Sequence, residues 1–245
     1  MMGRAWRQAA RLLVLLLLCG LGLQLYFIAR VALMVVLDPA STTFQRSEAW
    51  RLLRAPGPAG WRQQWVPYAQ IAGHLKRAVI ASEDAGFTEH SGVEWEAIEK
   101  AWEKNLRAQQ RAERQPEARR AAPKVIGGST ITQQLAKNLF LSGERSVLRK
   151  GQEVVITYAL EALLSKQRIL EIYLNHVEWG EGVFGAQAAA RHYFRTDAAQ
   201  LGTMPAARLA VMLPAPKRFE RRPASAYVIG RAATVAARMG AVEPP

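Results

Sequence analysis

The stretch 126–140 reads IGGSTITQQLAKNLF and contains a glycine pair, a helix start and a polar helix face. The glycine pair permits a tight turn and a close approach between backbones. Ser129 or Thr130 can cap the helix, and Thr130-x-x-Gln133 fits a capping box. The stretch therefore predicts a helix over 130–140 whose N-terminal amides and dipole suit an anion.

Polar side chains continue along this predicted helix. Gln134, Lys137 and Asn138 follow at spacings of three and four, which places them on one side. Leu135 and Leu139 can face the core. From these residues alone, two interpretations stay open: a cradle for phosphate and sugar groups, or an ordinary capped helix with a polar face.

A second stretch, 82–94, reads SEDAGFTEHSGVE and follows an apolar helical stripe formed by Ile71, Leu75, Ala78 and Val79. Glu83 could be partly buried at the edge of a cleft. Burial raises the pKa of a carboxyl group and makes it a better base near neutral pH. The alternative is a pair of surface acids at a helix end. For His90, beside a fixed turn at Gly92, we expect a structural hydrogen bond.

The third stretch, 145–161, reads RSVLRKGQEVVITYALE and carries charges within an otherwise apolar helix. Lys150, Glu153, Thr157 and Glu161 fall on one helical stripe, and Arg149 reaches Glu153 at i,i+4. A salt-bridged face would explain this pattern. A site for a diphosphate would explain it too, with a cationic cluster that comprises Lys137, Arg145, Arg149 and Lys150.

Composition narrows the classes of partner. The 245 residues carry a net charge of +13, with a pI of about 10.5, which suggests nucleic acid, a membrane surface or a phosphorylated substrate. Cys19 is the only cysteine. A disulfide within the chain and a metal site of paired cysteines are therefore excluded.

The N-terminal segment predicts a membrane anchor. Residues 12–37 are mostly apolar and exceed the roughly 20 residues that a spanning helix needs. Basic residues 4, 7 and 11 precede them without an acidic residue, which predicts a cytoplasmic N-terminus, 1–11, and export of the chain beyond the apolar run. A cleaved signal peptide is the alternative, but no clear small-x-small cleavage site comes after the apolar run.

Beyond the anchor we expect a connector over 38–66 and one mainly helical domain over 67–245. Further helix candidates are 93–108, 130–140, 147–164, 166–175, 183–193, 205–213 and 226–239. The stretch 103–124 differs, with seven basic and three acidic residues and few apolar ones. We interpret it as a solvated surface insertion, or alternatively as a basic arm near anionic lipid headgroups.

Together the three stretches resemble a known family, the monofunctional biosynthetic peptidoglycan transglycosylases, whose glycosyltransferase domain also occurs in penicillin-binding proteins. EDAGFTEHSGVE looks like the first motif of that family, GGSTITQQLAKN its second, RKGQE its third and SKQRILEIYLN its fourth. WGEGVFGAQAAARHYF and LPAPKRF match further signatures, all in the family's order over about 66–225. Glu94 replaces the usual Asp, and 103–124 lengthens the spacing between the first two motifs.

The resemblance implies a mainly α, lysozyme-like fold and the polymerisation of lipid II into glycan strands. It implies that Glu83 is the general base for inverting transfer and that undecaprenyl diphosphate leaves. Glu153 would be a second essential acid that holds the diphosphate region through cations or a metal. Residues implied to bind substrate are Ser129, Thr130, Gln133, Gln134, Lys137, Asn138, Arg145, Arg149 and Lys150. Glu171, outside the cationic cluster, is interpreted as structural.

The resemblance also implies a need for Mg2+ or Mn2+ at the leaving diphosphate, although the sequence reveals no dedicated protein site. We expect a single-pass protein of the inner membrane with a periplasmic domain. Its expected partners are lipid II, the growing glycan chain, the membrane and other cell-wall synthesis proteins, but not nucleic acid. No S-x-x-K transpeptidase module is found in the sequence. A cell-wall lyase or hydrolase and a non-enzymatic scaffold are the rival hypotheses.

Overall fold

The structure, a computed structural model, describes residues 2–56, 60–113, 127–144 and 146–245. Within these ranges the chain is mainly helical, which confirms the predicted fold class. The helices are α1 (Met2–Leu33), α2 (Thr43–Arg54), α3 (Gly73–Glu83), α4 (Trp95–Glu113), α5 (Ile131–Phe140), α6 (Val147–Leu163), α7 (Lys166–His176), α8 (Ala186–Phe194), α9 (Thr203–Met212), α10 (Pro216–Phe219) and α11 (Ala226–Arg238). One small sheet accompanies them, with the strands β1 (Arg62–Gln63), β2 (Glu178–Gly180) and β3 (Val183–Phe184).

The core forms where α9 packs between α3 and α11 and where α5 packs on α6 and α7. The apolar stripe predicted on α3 and before it, from Ile71 to Val79, is buried as expected. Tyr173 of α7 and Trp179 of β2 are among the largest fully buried side chains. This packing fixes the ends of α3, α5 and α6 relative to one another, and those ends carry the predicted site.

The sheet explains why the helix candidate 183–193 begins too early. Strand β3 lies in the middle of the sheet, parallel to β1 and antiparallel to β2. Its residues Val183 and Phe184 pair with neighbours, and Gly185 then takes φ +82°. That backbone angle suits glycine and is incompatible with a helix, so α8 begins only at Ala186.

The predicted connector contains more regular structure than its prolines suggested. Helix α2 begins after Thr42, whose side chain accepts from the amide of Gln45 while the Gln45 side chain accepts from the amide of Thr42. This capping box is encoded by a local T-x-x-Q pattern. Leu52 of α2 is buried, and α2 packs on α5. The segment over 38–66 therefore contributes to the wall of the domain.

The basic stretch 103–124 begins within a helix. Helix α4 continues to Glu113, beyond the predicted limit of 108. The remainder of that stretch, 114–124, lies outside the described residues. Ion pairs at i,i+4 spacing, Lys100 with Glu96 and Arg107 with Glu103, line the exposed face of α4.

Helix α1 is long and apolar enough to cross a membrane. The most apolar 18-residue window within its segment Trp6–Leu33 has a mean hydropathy of 2.5, and the side chains from Leu12 to Leu23 are exposed. Further along, Phe27, Val31 and Met34 are buried against the domain. The apolar helix is compatible with membrane anchoring, and its C-terminal part is also an element of the fold.

Candidate active site

Glu83 is the last residue of α3, and a chain of two hydrogen bonds fixes its carboxylate. Gln134 Nε2 of α5 donates to Glu83 Oε2 at 3.0 Å. The buried hydroxyl of Tyr173 on α7 donates in turn to Gln134 Oε1 at 3.0 Å. Since the Tyr173 hydroxyl engages the amide oxygen, the amide nitrogen faces Glu83. Three helices thus orient one carboxylate.

The environment of Glu83 favours the protonated form. Burial raises the pKa of Glu83 above its usual value of 4.5, and the nearby charge of Asp84 raises it further. The hydrogen bond from Gln134 acts in the opposite direction but is outweighed. Within the described residues, Glu83 forms no salt bridge to a cation. The sequence-based expectation of a partly buried carboxyl at this position is confirmed.

Asp84 holds the turn after α3 and the start of α5. Its Oδ1 contacts His90 Nε2 at 2.8 Å, and its Oδ2 accepts from the backbone amide of Ile131 at 2.9 Å. The amide of Gly92 donates to His90 Nδ1 at 3.0 Å, which confirms the structural role predicted for His90. Gly92 has φ +88°, and a Cβ there would approach within 2.7 Å of Thr157.

The bond from the Ile131 amide to Asp84 bears on the expectation that the N-terminus of α5 binds a substrate anion. The carboxylate of Asp84 already occupies the Ile131 amide. Thr130 forms the predicted capping box with Gln133, and its hydroxyl also donates to the Gly92 carbonyl at 2.5 Å. Thr130 is 1% exposed with its hydroxyl fully used. Thr130 therefore has a structural role, and its predicted role in substrate binding stays a prediction, since it also lines a cavity together with Glu83.

Gln133 differs from Thr130 in one respect. Its Oε1 accepts from the Thr130 amide, but its Nε2 is buried without a hydrogen-bond partner in the described part of the chain. The side chain also lines a cavity of about 470 Å³, which Lys137 and Glu153 line as well. Its role in substrate binding therefore remains a prediction.

Glu153 on α6 lies in an environment opposite to that of Glu83. Arg149 Nη1 donates to Glu153 Oε2 at 2.7 Å, which confirms the predicted i,i+4 contact, and Lys150 Nζ donates to Glu153 Oε1. Glu153 is 3% exposed. Lys150 Nζ also donates to Ser129 Oγ at 3.4 Å. The carboxylate thereby holds two cationic side chains at the start of α6.

Lys137 completes the cationic group from α5. It is exposed to the cleft, yet the surrounding walls displace much of its water, and this desolvation lowers the pKa of its ammonium group. Glu153 opposes that shift, whereas the charges of Arg149 and Lys150 add to it. Arg145, the fourth cation predicted here, lies outside the described residues.

Two cavities flank these side chains, and Ser129 lines both of them. The larger, about 470 Å³, is lined by Gln134, Lys137, Asn138, Arg149, Lys150 and Glu153, among others. The smaller, about 250 Å³, is lined by Glu83, Asp84, Glu94, Lys100, Lys104, Gly128 and Thr130, among others. The structure thus separates a cationic compartment from a compartment that holds the buried carboxyl of Glu83.

Gly128 allows this arrangement because a Cβ there would lie 2.9 Å from the carbonyl oxygen of Ala97 on α4. The close backbone approach predicted for the glycine pair is confirmed at this position. It brings the residues before α5 against α4, which forms the wall of the smaller cavity. A side chain at this position would separate those two walls.

Glu178 lines the larger cavity from strand β2 and was not predicted from the sequence as a site residue. Burial raises the pKa of Glu178 to about 7, although Lys217 Nζ, 3.5 Å away, opposes the shift. Lys217 also pairs with Glu48 of α2. The motif around β2 was recognised, but nothing local indicated that a carboxyl there faces the cleft.

Glu171 is structural, as interpreted from the sequence. Its Oε1 accepts from the amide of Tyr68 at 2.7 Å, and its Oε2 pairs with Arg168 at 2.7 Å. Both oxygens are therefore used to join α7 to the segment before α3. No contact of this kind points Glu171 toward either cavity within the described residues.

Within the part of the chain that the structure describes, the residues do not fit a metal held by protein ligands alone. Among the described residues, Asp84, His90 and Glu94 have ligand atoms within 4.8 Å of one another. Asp84, however, uses both oxygens for His90 and the Ile131 amide. The oxygens of Glu153 are likewise engaged, by two cations. The expected need for Mg2+ or Mn2+ stays a prediction about the diphosphate, and no step of the proposed reaction depends on it.

The chain is similar in sequence to known proteins over most of its length. The sequence model of the transglycosylase family matches residues 52–240. A protein of Bordetella pertussis named biosynthetic peptidoglycan transglycosylase is 51% identical over 241 residues, which cover 98% of this chain and 96% of that protein. Proteins of the same name from Burkholderia pseudomallei and Burkholderia orbicola are 56% and 54% identical, over 92% of this chain and 83% and 86% of theirs. The chain therefore belongs to the transglycosylase family.

Proposed function

We propose that this peptidoglycan transglycosylase polymerises lipid II, with Glu83 as the base. Glu83 takes the proton from the 4-hydroxyl of the acceptor sugar as that oxygen attacks the anomeric carbon of the donor. The bond from that carbon to the diphosphate oxygen breaks, and its electron pair leaves with undecaprenyl diphosphate. Attack from the face opposite the leaving group inverts the anomeric centre.

The main support for the proposal is that Ser129 lies between two cavities of different chemistry. A diphosphate leaving group needs cations, and Lys137, Arg149 and Lys150 supply them in the larger cavity. An acceptor hydroxyl needs a base, and Glu83 supplies it in the smaller one. Donor and acceptor would therefore meet beside Ser129.

Glu153 has a supporting role in this proposal. Its two salt bridges hold Arg149 and Lys150 at the cavity wall, so that the cations are in place before the leaving diphosphate gains charge. Both of its oxygens are engaged by those cations, so Glu153 acts through the side chains that it holds.

The test is glycan-strand formation from purified lipid II by the detergent-solubilised full chain, with Mg2+ and Mn2+ tried separately. We expect polymer together with released undecaprenyl diphosphate, one molecule for each glycosidic bond formed. If a folded protein forms no polymer but releases soluble muropeptides from purified wall, a lyase or hydrolase is the correct assignment. If it does neither, a scaffold is correct.

We further propose an inner-membrane protein whose domain lies on the periplasmic side. The support is helix α1 and the basic residues at 4, 7 and 11 that precede its apolar part. Protease added to intact spheroplasts should digest the domain. Protection until the membrane is permeabilised would contradict this topology.

A further inference from the structure

The single amide in the apolar part of helix α1 contacts the active-site helix. Gln24 Nε2 donates to Gln152 Oε1 at 2.8 Å, and Gln152 Nε2 donates to Gln24 Oε1 at 2.9 Å. Gln152 directly precedes Glu153 on α6. The two amides satisfy each other reciprocally, so this contact has one geometry, unlike the apolar contacts around it.

The same helix also contacts α5. The ring of Phe27 packs edge-on against the ring of Phe140, with centroids 5.3 Å apart. Phe140 is the last residue of α5 and lies three positions after Lys137. Helix α1 therefore contacts both helices that supply the cations of the larger cavity, α5 through Phe27 and α6 through Gln24.

The end of the anchor is held as well. Arg168 of α7 donates to the carbonyl oxygens of Met34 and Leu37 at 2.9 and 3.0 Å and pairs with Asp38 at 2.7 Å. Met34 itself is buried in the core. The chain thus leaves the anchor at a fixed point of the domain, which leaves little freedom for α1 to rotate or slide.

The position of Gln24 within the predicted membrane span adds to the specificity of the Gln24–Gln152 contact. A span needs roughly 20 residues, and a count of that length from Leu12, the first residue after Arg11, includes both Gln24 and Phe27. An amide at membrane depth is unfavourable unless it is paired within the protein. Gln24 is therefore driven toward Gln152, which favours one rotation of the anchor over the others.

We infer that the Gln24–Gln152 pair is a positioning contact for glycosyl transfer, through which the anchor helix keeps α6 aligned with α5. This inference rests on the proposed function. Gln152 does not touch the proposed reacting atoms. It acts through the neighbouring Glu153 and the two cations that Glu153 holds. Small displacements of such groups are costly because transition-state stabilisation depends on their alignment.

The test compares Gln24→Leu and Gln152→Leu with Gln8→Leu, in the full chain reconstituted into vesicles. Gln8→Leu makes the same change in the same helix at an exposed residue. We expect kcat on lipid II, measured per folded molecule, to fall roughly tenfold in either single variant of the pair, with KM near that of the wild type. Gln8→Leu should match the wild type. The double variant should lose no more than either single variant, because one contact is removed only once.

The outcomes separate the two proposals. No polymer from the folded wild type would overturn the proposed function itself. Polymer from the wild type with equal kcat in Gln24→Leu and Gln8→Leu would overturn the positioning role. An additive loss in the double variant would mean that the two residues act independently. A lower unfolding temperature with unchanged kcat per folded molecule would make the contact merely structural.

Discussion

Glu83 and Glu153 are both glutamates, but the charges around their carboxyl groups are opposite. Glu83 ends α3 and faces a neutral amide and the carboxylate of Asp84. Glu153 lies in the first turns of α6 and is bonded to two cations, Arg149 and Lys150. Burial without a cation raises the pKa of Glu83, whereas Glu153 holds two cations through salt bridges. The comparison shows how one active site obtains both a proton acceptor and a fixed anion from glutamate.

The largest effect is expected for Glu83→Gln, which retains the shape but removes the base. Turnover of lipid II should fall by about 10²–10⁴-fold, the usual contribution of a general base. The exposed Glu89→Gln is a matched control, and its turnover should equal that of the wild type. A folded Glu83→Gln variant with near-normal turnover would assign the proton transfer to another group.

The same variant should change how stability depends on pH. The folded-state pKa of Glu83 is raised above 4.5, so the folded protein favours its protonated form. The stability that the protonated carboxyl of Glu83 contributes to the folded protein is complete below pH 4.5. It is lost as the pH rises through the folded-state pKa. In Glu83→Gln that loss should be absent, which thermal unfolding at several pH values would measure.

Glu153→Gln should instead reduce stability. The variant leaves Arg149 and Lys150 without their carboxylate, and both are partly exposed, so we expect a loss of about 2 kcal/mol of unfolding free energy. Thermal unfolding in detergent would measure it. Equal unfolding temperatures for Glu153→Gln and the wild type would mean that the two salt bridges contribute nothing to the fold.

Lys137→Ala should affect substrate binding more than folding. One charge-assisted contact to a diphosphate corresponds to about 1.5–3 kcal/mol, so KM for lipid II should rise roughly tenfold or more. Lys137→Arg retains the charge and should recover most of the affinity. Unchanged KM in Lys137→Ala would exclude this lysine from the donor site.

Gln134→Leu removes the hydrogen bond that lowers the pKa of Glu83. The acidic limb of the pH profile of kcat/KM should therefore move to higher pH. Tyr173→Phe is an informative companion, since it leaves the Gln134 amide in place without its orienting hydroxyl. An acidic limb that stays in place in Gln134→Leu would separate that limb from Glu83.

The smallest effect on activity is expected for Glu171→Gln. Its contacts are with the Tyr68 amide and Arg168, outside both cavities. We expect unchanged kcat and KM and a loss of about 1 kcal/mol in unfolding free energy. A large loss of turnover with intact folding would contradict the structural assignment.

The features that could be predicted from the sequence are mostly local. The capping box at Thr130 and the Arg149–Glu153 pair depend on residues three or four positions apart, and such spacing is visible in the sequence. The motifs then identified the family through residues that local chemistry alone left ambiguous. Helix α2 also had a local signal at Thr42, which the neighbouring prolines obscured.

The features that could not be predicted depend on contacts between distant segments. The bond from Ile131 to Asp84 joins residues 47 positions apart, and it gives one amide at the start of α5 a partner within the protein. The orienting bond from Tyr173 to Gln134 likewise spans 39 positions. No periodicity encodes these pairings, because they arise only when the helices pack.

The role of Glu83 as the base can be measured in the wild type through the pH dependence of kcat/KM on lipid II. We predict an acidic limb whose midpoint lies above 4.5, because burial raises the pKa of Glu83 and no described cation forms a salt bridge with it. Activity that stays constant as the pH falls to 4.5, in protein that remains folded there, would contradict the assignment of Glu83 as the base.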